Sequence, residues 1–149
     1  MNPAVAQIAA VAQVIASVGM FGVIWIVQLV HYPLMRFVSG PEFAAFETAH
    51  RRRISWVVGP LMAVEGLCVL AFLFAPPAGL VWWLPWAGAV AEAVAIGTTV
   101  FVSAPLHERL NARFDPAALD RLIATNWIRT AAWTARAAVA VAIVVGVLR

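Results

Sequence analysis

The three histidines of the chain lie where their imidazole rings could meet and bind a metal ion, a haem or a polar ligand. His31 ends the first long apolar run, His50 precedes the second, and His107 ends the third. Glu47 and His50 form a Glu-x-x-His pair, and in four-helix di-metal proteins such a pair supplies two ligands from one helix. We therefore predict that His31, His50, His107 and Glu47 bind an iron or copper ion, or that histidines among them hold a haem b group.

Three further polar side chains lie at the same level of the apolar runs. Asn126 and Arg129 open the fourth run, and Arg53 stands at the mouth of the second. We predict that Arg53, Asn126 and Arg129 form the catalytic part of the site and bind an anionic or polar part of a lipophilic substrate. The alternative is that these side chains and the histidines only contact water, lipid headgroups and helix ends.

A second set of ionisable residues, Glu65, Glu92 and Arg136, lies inside the apolar runs. Glu65 is 15 residues beyond His50, and Glu92 is 15 residues before His107. Both carboxylates would then lie about 22 Å from the histidines along straight helices. Ionisable side chains inside a membrane usually face the interior of a helix bundle. We predict a polar network of these three residues, either an ion pair that holds the helices together or a path for protons or substrate.

The composition places the chain in a membrane. It is 64% hydrophobic and only 11% charged, whereas soluble domains have about 25% charged residues. All ten basic residues are arginines, and all but Arg136 stand at the ends of apolar runs or in the connections between them, so membrane topology explains them better than nucleic-acid binding does. The single cysteine excludes an internal disulfide framework and a cysteine-based metal site.

Four apolar spans define the predicted architecture, at residues 8–34, 54–74, 81–104 and 128–148. Each is long enough to cross a hydrocarbon core about 30 Å thick as a helix. We predict an all-α integral membrane four-helix bundle that forms a single domain over residues 1–149. Ser39 is the predicted cap of the second helix with Pro41 in its first turn, and Asp115-Pro116 is the equivalent start of the fourth.

The arginines predict the orientation in the membrane. Eight of the ten lie in or beside the two long connections, and the opposite side carries only Arg149. The positive-inside rule then puts both long connections in the cytoplasm and both termini outside, in the inner (cytoplasmic) membrane. Tryptophans predict two interfacial belts, one of Trp82, Trp83 and Trp86 and one of Trp56, Trp127 and Trp133.

The two halves of the chain share a pattern that predicts an internal repeat of two helical hairpins. Pro33-Leu34 and Pro105-Leu106 each close an odd-numbered span. His50-x-x-Arg53 in the first half matches Asn126-x-x-Arg129 in the second, at a shift of 76 residues. The alternative is coincidence in an apolar sequence of low complexity. Binding sites in membrane proteins commonly lie between such repeats.

Two motifs of the second half resemble a known family. They are P-L-H-E-R-L at residues 105–110 and N-W-I-R-T at residues 126–130, the latter followed by Trp133 and Arg136. They resemble the anthrone oxygenase-like family of small four-helix membrane proteins, which implies oxygen-linked chemistry on an aromatic or lipophilic substrate. By helix count and size, the chain is more distantly similar to the membrane protoporphyrinogen oxidase family, which carries b-type haem.

The predicted function is that of a membrane oxidoreductase-like enzyme with its site near the cytoplasmic face. The expected partners are membrane lipid and a lipophilic small molecule, with no nucleic acid, and a homo-oligomer is compatible with the sequence. Two other functions stay open: a small proton-coupled transporter that uses the intramembrane network, and a membrane scaffold or binding subunit.

Overall fold

The predicted all-α, four-helix architecture is confirmed. The structure, a computed structural model, describes residues 1–38, 40 and 42–149, so the predicted capping role of Ser39 and position of Pro41 lie outside the described residues. The described part of the chain forms four long helices: α1 (Pro3–Phe37), α2 (Glu42–Phe74), α3 (Trp83–Ala112) and α4 (Pro116–Leu148). Each helix is long and apolar enough to cross a membrane.

Side-chain caps and a turn glycine set several of the helix ends. The side chain of Asn2 accepts a hydrogen bond from the first turn of α1, with a proline at the first helical position. Asp115 caps α4 in the same way by accepting from the amides of Ala117 and Ala118, as predicted from the sequence. Gly79, with a φ of 80°, makes the short turn between α2 and α3 possible.

The four helices pack as a ring in which α1 contacts α2 and α4, and α3 contacts the same two helices. The interior is apolar at both ends of the bundle, around Phe43 and Leu122 at one end and around Phe72 and Ile143 at the other. Many large apolar side chains point outward, for example Phe101, which is 80% exposed. An apolar outer surface of this kind fits contact with lipid.

The helices continue past the predicted apolar spans at the arginine-rich end of the bundle. Phe43 of α2, Leu110 of α3 and Leu119 of α4 are buried against one another there. This extra core keeps the polar helix ends together. It therefore holds the residues of the predicted metal and substrate sites on rigid helices instead of loops.

The first and third helices share a local irregularity. A π-helical segment occupies Val27–His31 of α1, and another occupies Thr99–Ser103 of α3. Each segment lies just before the proline of the repeated Pro-Leu pair. Such segments insert an extra residue into a turn and occur frequently at functional sites. They extend the similarity between the two hairpins, while the internal repeat as a whole stays a prediction.

One of the two predicted tryptophan belts needs correction. Trp82, Trp83 and Trp86 are exposed on the bundle surface, as an interfacial belt requires, and so are Trp56 and Trp127. Trp133 is fully buried among α1, α3 and α4, so its assignment to a belt is wrong. Its ring fills the middle of the bundle and contributes packing instead of an interfacial anchor.

Candidate functional site

Five side chains meet near the arginine-rich end of the bundle and are called the histidine site: His31, Tyr32, Glu47, His50 and His107. The rings of His31 and His50 are stacked with their centroids 4.2 Å apart. The ring of His107 lies 5.7 Å from that of His50 and 5.7 Å from that of Tyr32. The structure thus brings together the three histidines and Glu47 from α1, α2 and α3.

A chain of hydrogen bonds connects three of these residues. Nδ1 of His107 lies 2.5 Å from Oε1 of Glu47, and Nε2 of His107 lies 2.9 Å from the Tyr32 hydroxyl. An ionised carboxylate can only accept, so Nδ1 of His107 carries the proton that it donates to Glu47. In the neutral imidazole, Nε2 is then the acceptor, and the Tyr32 hydroxyl donates to it. Since Glu47 and Tyr32 are buried, these bonds are largely shielded from bulk solvent.

A second hydrogen-bonded group fixes the predicted substrate-binding residues of α4. The Asn126 amide donates to Oε1 of Gln28 over 2.8 Å and accepts from Nη1 of Arg129 over 2.9 Å. Gln28 in turn donates to the backbone carbonyl of Ile123 over 3.3 Å. Arg129 is buried, and its Nε has no hydrogen-bond partner among the described residues. Its cation is therefore held in place with one donor free for an anionic or polar group.

Two neighbouring spaces adjoin the histidine site. An inner pocket of about 220 Å³ is lined by polar groups that include Tyr32, His107 and Arg129. A larger cleft of about 500 Å³ lies between α1 and α2, and His50 lines both spaces. The cleft is otherwise mostly apolar. Ile26 on its wall is 62% exposed, so the cleft opens onto the lipid-facing surface.

Arg53 stands apart from the other two predicted catalytic residues. Its side chain is exposed and lines the lipid-facing cleft. Asn126 and Arg129 contact each other in the interior, and the hydrogen bonds of that pair do not include Arg53. The structure therefore separates Arg53, which lines the cleft, from Arg129, which lines the inner pocket and is held by Asn126.

The described side chains, as they lie, do not form a ready-made metal site. Among the described residues, no group of three or more His, Cys, Asp or Glu side chains is arranged to hold a metal ion. His107 uses both ring nitrogens in hydrogen bonds, and the face-to-face stacking of His31 and His50 prevents their in-plane lone pairs from converging on one ion. The predicted iron, copper or haem b group stays a prediction.

The predicted intramembrane residues contact one another in the middle of the bundle. Nε of Arg136 lies 3.0 Å from Oε2 of Glu65 and 3.4 Å from Oε2 of Glu92. The Ser17 hydroxyl donates to the same Glu65 oxygen over 2.9 Å. All four residues are buried. Each helix of the bundle contributes one of them: Ser17 from α1, Glu65 from α2, Glu92 from α3 and Arg136 from α4.

Sequence reasoning missed three residues that the sites use: Tyr32, Gln28 and Ser17. Tyr32 is the only tyrosine of the chain and directly follows His31, which is a signal that could have drawn attention to it. Gln28 is a polar residue near the end of an apolar run, at the level of the histidines. Ser17 carries no such signal, because a small hydroxyl residue is common in membrane helices.

Comparison with known proteins yields no relative of this chain. No protein-family model matches it, and neither does any curated protein or solved structure. The resemblance to the anthrone oxygenase-like family therefore stays a prediction.

Proposed function

We propose that the chain is an integral membrane oxidoreductase that removes a proton from a lipophilic aromatic substrate at the histidine site, as one step of an oxidation by molecular oxygen. The observation that carries this proposal is the hydrogen-bonded chain from Glu47 through His107 to Tyr32. It ends at an inner pocket that adjoins a lipid-facing cleft.

The two spaces suit a substrate with a large apolar part and one polar end. The apolar walls of the cleft between α1 and α2 accept an aromatic ring system that arrives from the membrane. The inner pocket offers Arg129, whose free Nε can stabilise a negatively charged substrate oxygen. A substrate bound in this way presents its polar end to Tyr32 and His107.

The proton step follows from the order of the hydrogen bonds. Tyr32 takes the substrate proton while its own hydroxyl proton moves to Nε2 of His107. Glu47, which accepts from Nδ1, stabilises the imidazolium that forms and holds the ring in the required tautomer. Because the carboxylate is buried, its interaction with the imidazolium is stronger than it would be in water.

The resemblance described above supplies the substrate class. An anthrone has a CH₂ group between its aromatic rings, opposite a carbonyl that stabilises the carbanion formed when a proton leaves. Reaction with O₂ converts the CH₂ group into a second carbonyl and releases one water molecule, so one O₂ is consumed per substrate. The residues of the site would provide the base and the group that stabilises the oxyanion.

We further propose that the arginine-rich end faces the cytoplasm and that both termini lie outside, in a cytoplasmic membrane. The support is the arginine distribution, with eight of ten arginines at this end. The histidine site lies at the same end. The substrate would therefore enter from the inner leaflet.

Oxygen consumption by the purified protein tests this function. The protein in detergent is mixed with 1,8-dihydroxyanthrone, and O₂ uptake and quinone absorbance are recorded. General acid–base catalysis contributes typically about 10²–10⁴-fold, so Tyr32→Phe and His107→Ala should each lower the rate by about 100-fold or more. Thr48→Ala is the matched control, since Thr48 adjoins Glu47 in sequence but bonds Asn111 at the surface.

Two results would refute the proposed function. One is a wild-type rate no higher than that of the detergent buffer. The other is a Tyr32→Phe variant that works as fast as Thr48→Ala, because the proton chain would then be irrelevant. Circular dichroism spectra of all variants exclude loss of folding as the cause of a lower rate.

A proton-coupled transporter is a second candidate, favoured by the buried contacts of Glu65, Glu92 and Arg136. Its test is uptake of a lipophilic cation or anion into liposomes under a pH gradient. Uptake that depends on both carboxylates, together with no oxygen consumption, would place transport ahead of oxidation.

A further inference from the structure

We propose that Glu65 and Glu92 together bind one proton in the interior of the membrane, and that water molecules complete the hydrogen bonds of this site. The site is distinct from the histidine site and does not depend on the proposed oxidation. It is built from the contacts of Glu65, Glu92, Arg136 and Ser17, and is called the proton site below.

The geometry places two carboxylates against one guanidinium group. Nε of Arg136 lies 3.0 Å from Glu65 and 3.4 Å from Glu92, and both contacts use the Oε2 atoms. Arg136 and Glu65 are completely buried, and Glu92 is 4% exposed. Apolar clusters of the bundle interior enclose these groups, so counter-ions from solution cannot balance their charge.

The charges of these groups determine how many protons the site holds. With both carboxylates ionised, the site would carry a net charge of −1 in the hydrocarbon region, and with both protonated it would carry +1. Either state leaves an uncompensated buried charge, which is strongly unfavourable. One proton shared by the two carboxylates makes the site neutral. Because the carboxylates are coupled, the proton belongs to the pair and not to either residue.

Unsatisfied atoms indicate that water takes part. Nη1 and Nη2 of Arg136, Oε1 of Glu65 and Oε1 of Glu92 have no hydrogen-bond partner among the described residues. The amide atoms of Gln13, one turn before Ser17 on α1, are also buried without a described partner. Buried polar groups almost always find protein or water partners, so we infer that ordered water completes these hydrogen bonds.

The neighbouring side chains of Cys68 and Ser17 do not take the proton from the carboxylates. Among the described residues, Cys68 is the other titratable group next to the three charged residues, and its thiol donates to the backbone carbonyl of Ala9 over 3.5 Å. Ser17 is a donor to Glu65 and carries no charge. An ion pair that only held the helices together would need one carboxylate for one arginine. A second carboxylate is needed only if the site also binds a proton, which keeps its net charge at zero.

Infrared spectroscopy of the full-length protein tests the proposal. A protonated carboxyl absorbs separately from a carboxylate, so wild-type protein at neutral pH should show a band equivalent to one carboxylic acid. Glu65→Gln and Glu92→Gln should each fold and each lose this band, because the remaining carboxylate is then ionised beside Arg136. Glu108→Gln, at an exposed carboxylate, is the control and should keep the band.

Further measurements decide the remaining points. The double variant Glu65→Gln/Glu92→Gln leaves Arg136 without an anion and should melt below both single variants in detergent. The band should shift within minutes of transfer into D₂O if water reaches the site. The proposal is overturned if wild-type protein lacks the band, if both single variants retain it, if it does not shift in D₂O, or if Na⁺ at constant pH removes it, since a metal cation would then replace the proton.

Discussion

Replacement of Gly88 by alanine tests whether the guanidinium of Arg136 is held as tightly as its contacts imply. A Cβ atom at Gly88 would lie 3.2 Å from Nη1 of Arg136, closer than most van der Waals contacts, and 3.4 Å from Cγ1 of Val139. Arg136 cannot move away freely, because its Nε is fixed between Glu65 and Glu92. We therefore expect this small-to-large change to cost about 1–3 kcal/mol of overpacking.

The same substitution also removes a glycine from a helix interior, which favours folding by about 1 kcal/mol. The expected net effect of Gly88→Ala is therefore a loss of about 0–2 kcal/mol. Gly97→Ala is the matched control in the same helix, since a Cβ there meets nothing within 4 Å and only the gain of about 1 kcal/mol remains. The two variants should thus differ by about 1–3 kcal/mol.

Thermal unfolding in detergent, followed by circular dichroism, measures this difference. At roughly 2–4 °C per kcal/mol for a chain of this size, Gly97→Ala should melt at least about 2 °C above Gly88→Ala. Equal melting temperatures, or a higher one for Gly88→Ala, would show that the guanidinium moves aside. That result would contradict the packing described here for the proton site.

Three further predictions concern the histidine site and the topology. Asn126→Ala removes the partner of Gln28 and Arg129 in the interior and should cost about 1–3 kcal/mol in detergent unfolding, whereas Asn111→Ala at the surface should stay within about 0.5 kcal/mol. A reporter fused after Arg149 should be active only if its function requires export, and activity of a cytoplasm-only reporter there would contradict the topology. Titration with iron, copper and haemin, followed by absorption, tests the predicted metal or haem group: a stoichiometric complex that His31→Ala, His50→Ala and His107→Ala each lose would show that the histidines rearrange to bind it, and no complex with any of the three would refute it.

The length and apolarity of the four runs were sufficient to predict the helices and the bundle. They were not sufficient to predict how far the helices extend at the arginine-rich end, because hydropathy falls there while packing continues. Phe43, Leu110 and Leu119 form a core between helix ends that are polar on their outer faces. Only the packing of three helices against one another makes this visible.

The sequence was sufficient to predict which residues lie at the depth of the candidate site, but not which of them are hydrogen-bonded to one another. Equal depth placed His50 and His107 at one level, whereas the contacts of His107 with Glu47 and Tyr32 depend on helix rotation. The π-helical segment Val27–His31 changes that rotation by inserting an extra residue just before Tyr32. A regular period of 3.6 residues therefore gives the wrong face for the end of α1.

The spacing of residues along α4 explains both the misplaced tryptophan and the relation between the two sites. The buried residues Asn126, Arg129, Trp133 and Arg136 follow one another at intervals of three and four, which is the seam of a helix that faces a bundle. Depth alone suggested an interfacial belt for Trp133, but this spacing puts it on the inner face with the polar residues.

Burial of two arginines on the inner face of one helix is costly in a membrane, so each arginine must find compensation within the bundle. Arg136 finds it in two carboxylates, whereas Arg129 bonds the neutral Asn126 and its Nε has no partner among the described residues. This difference makes the Arg136 end of the seam a charge-balanced site for a proton and the Arg129 end the place where an anionic substrate is expected.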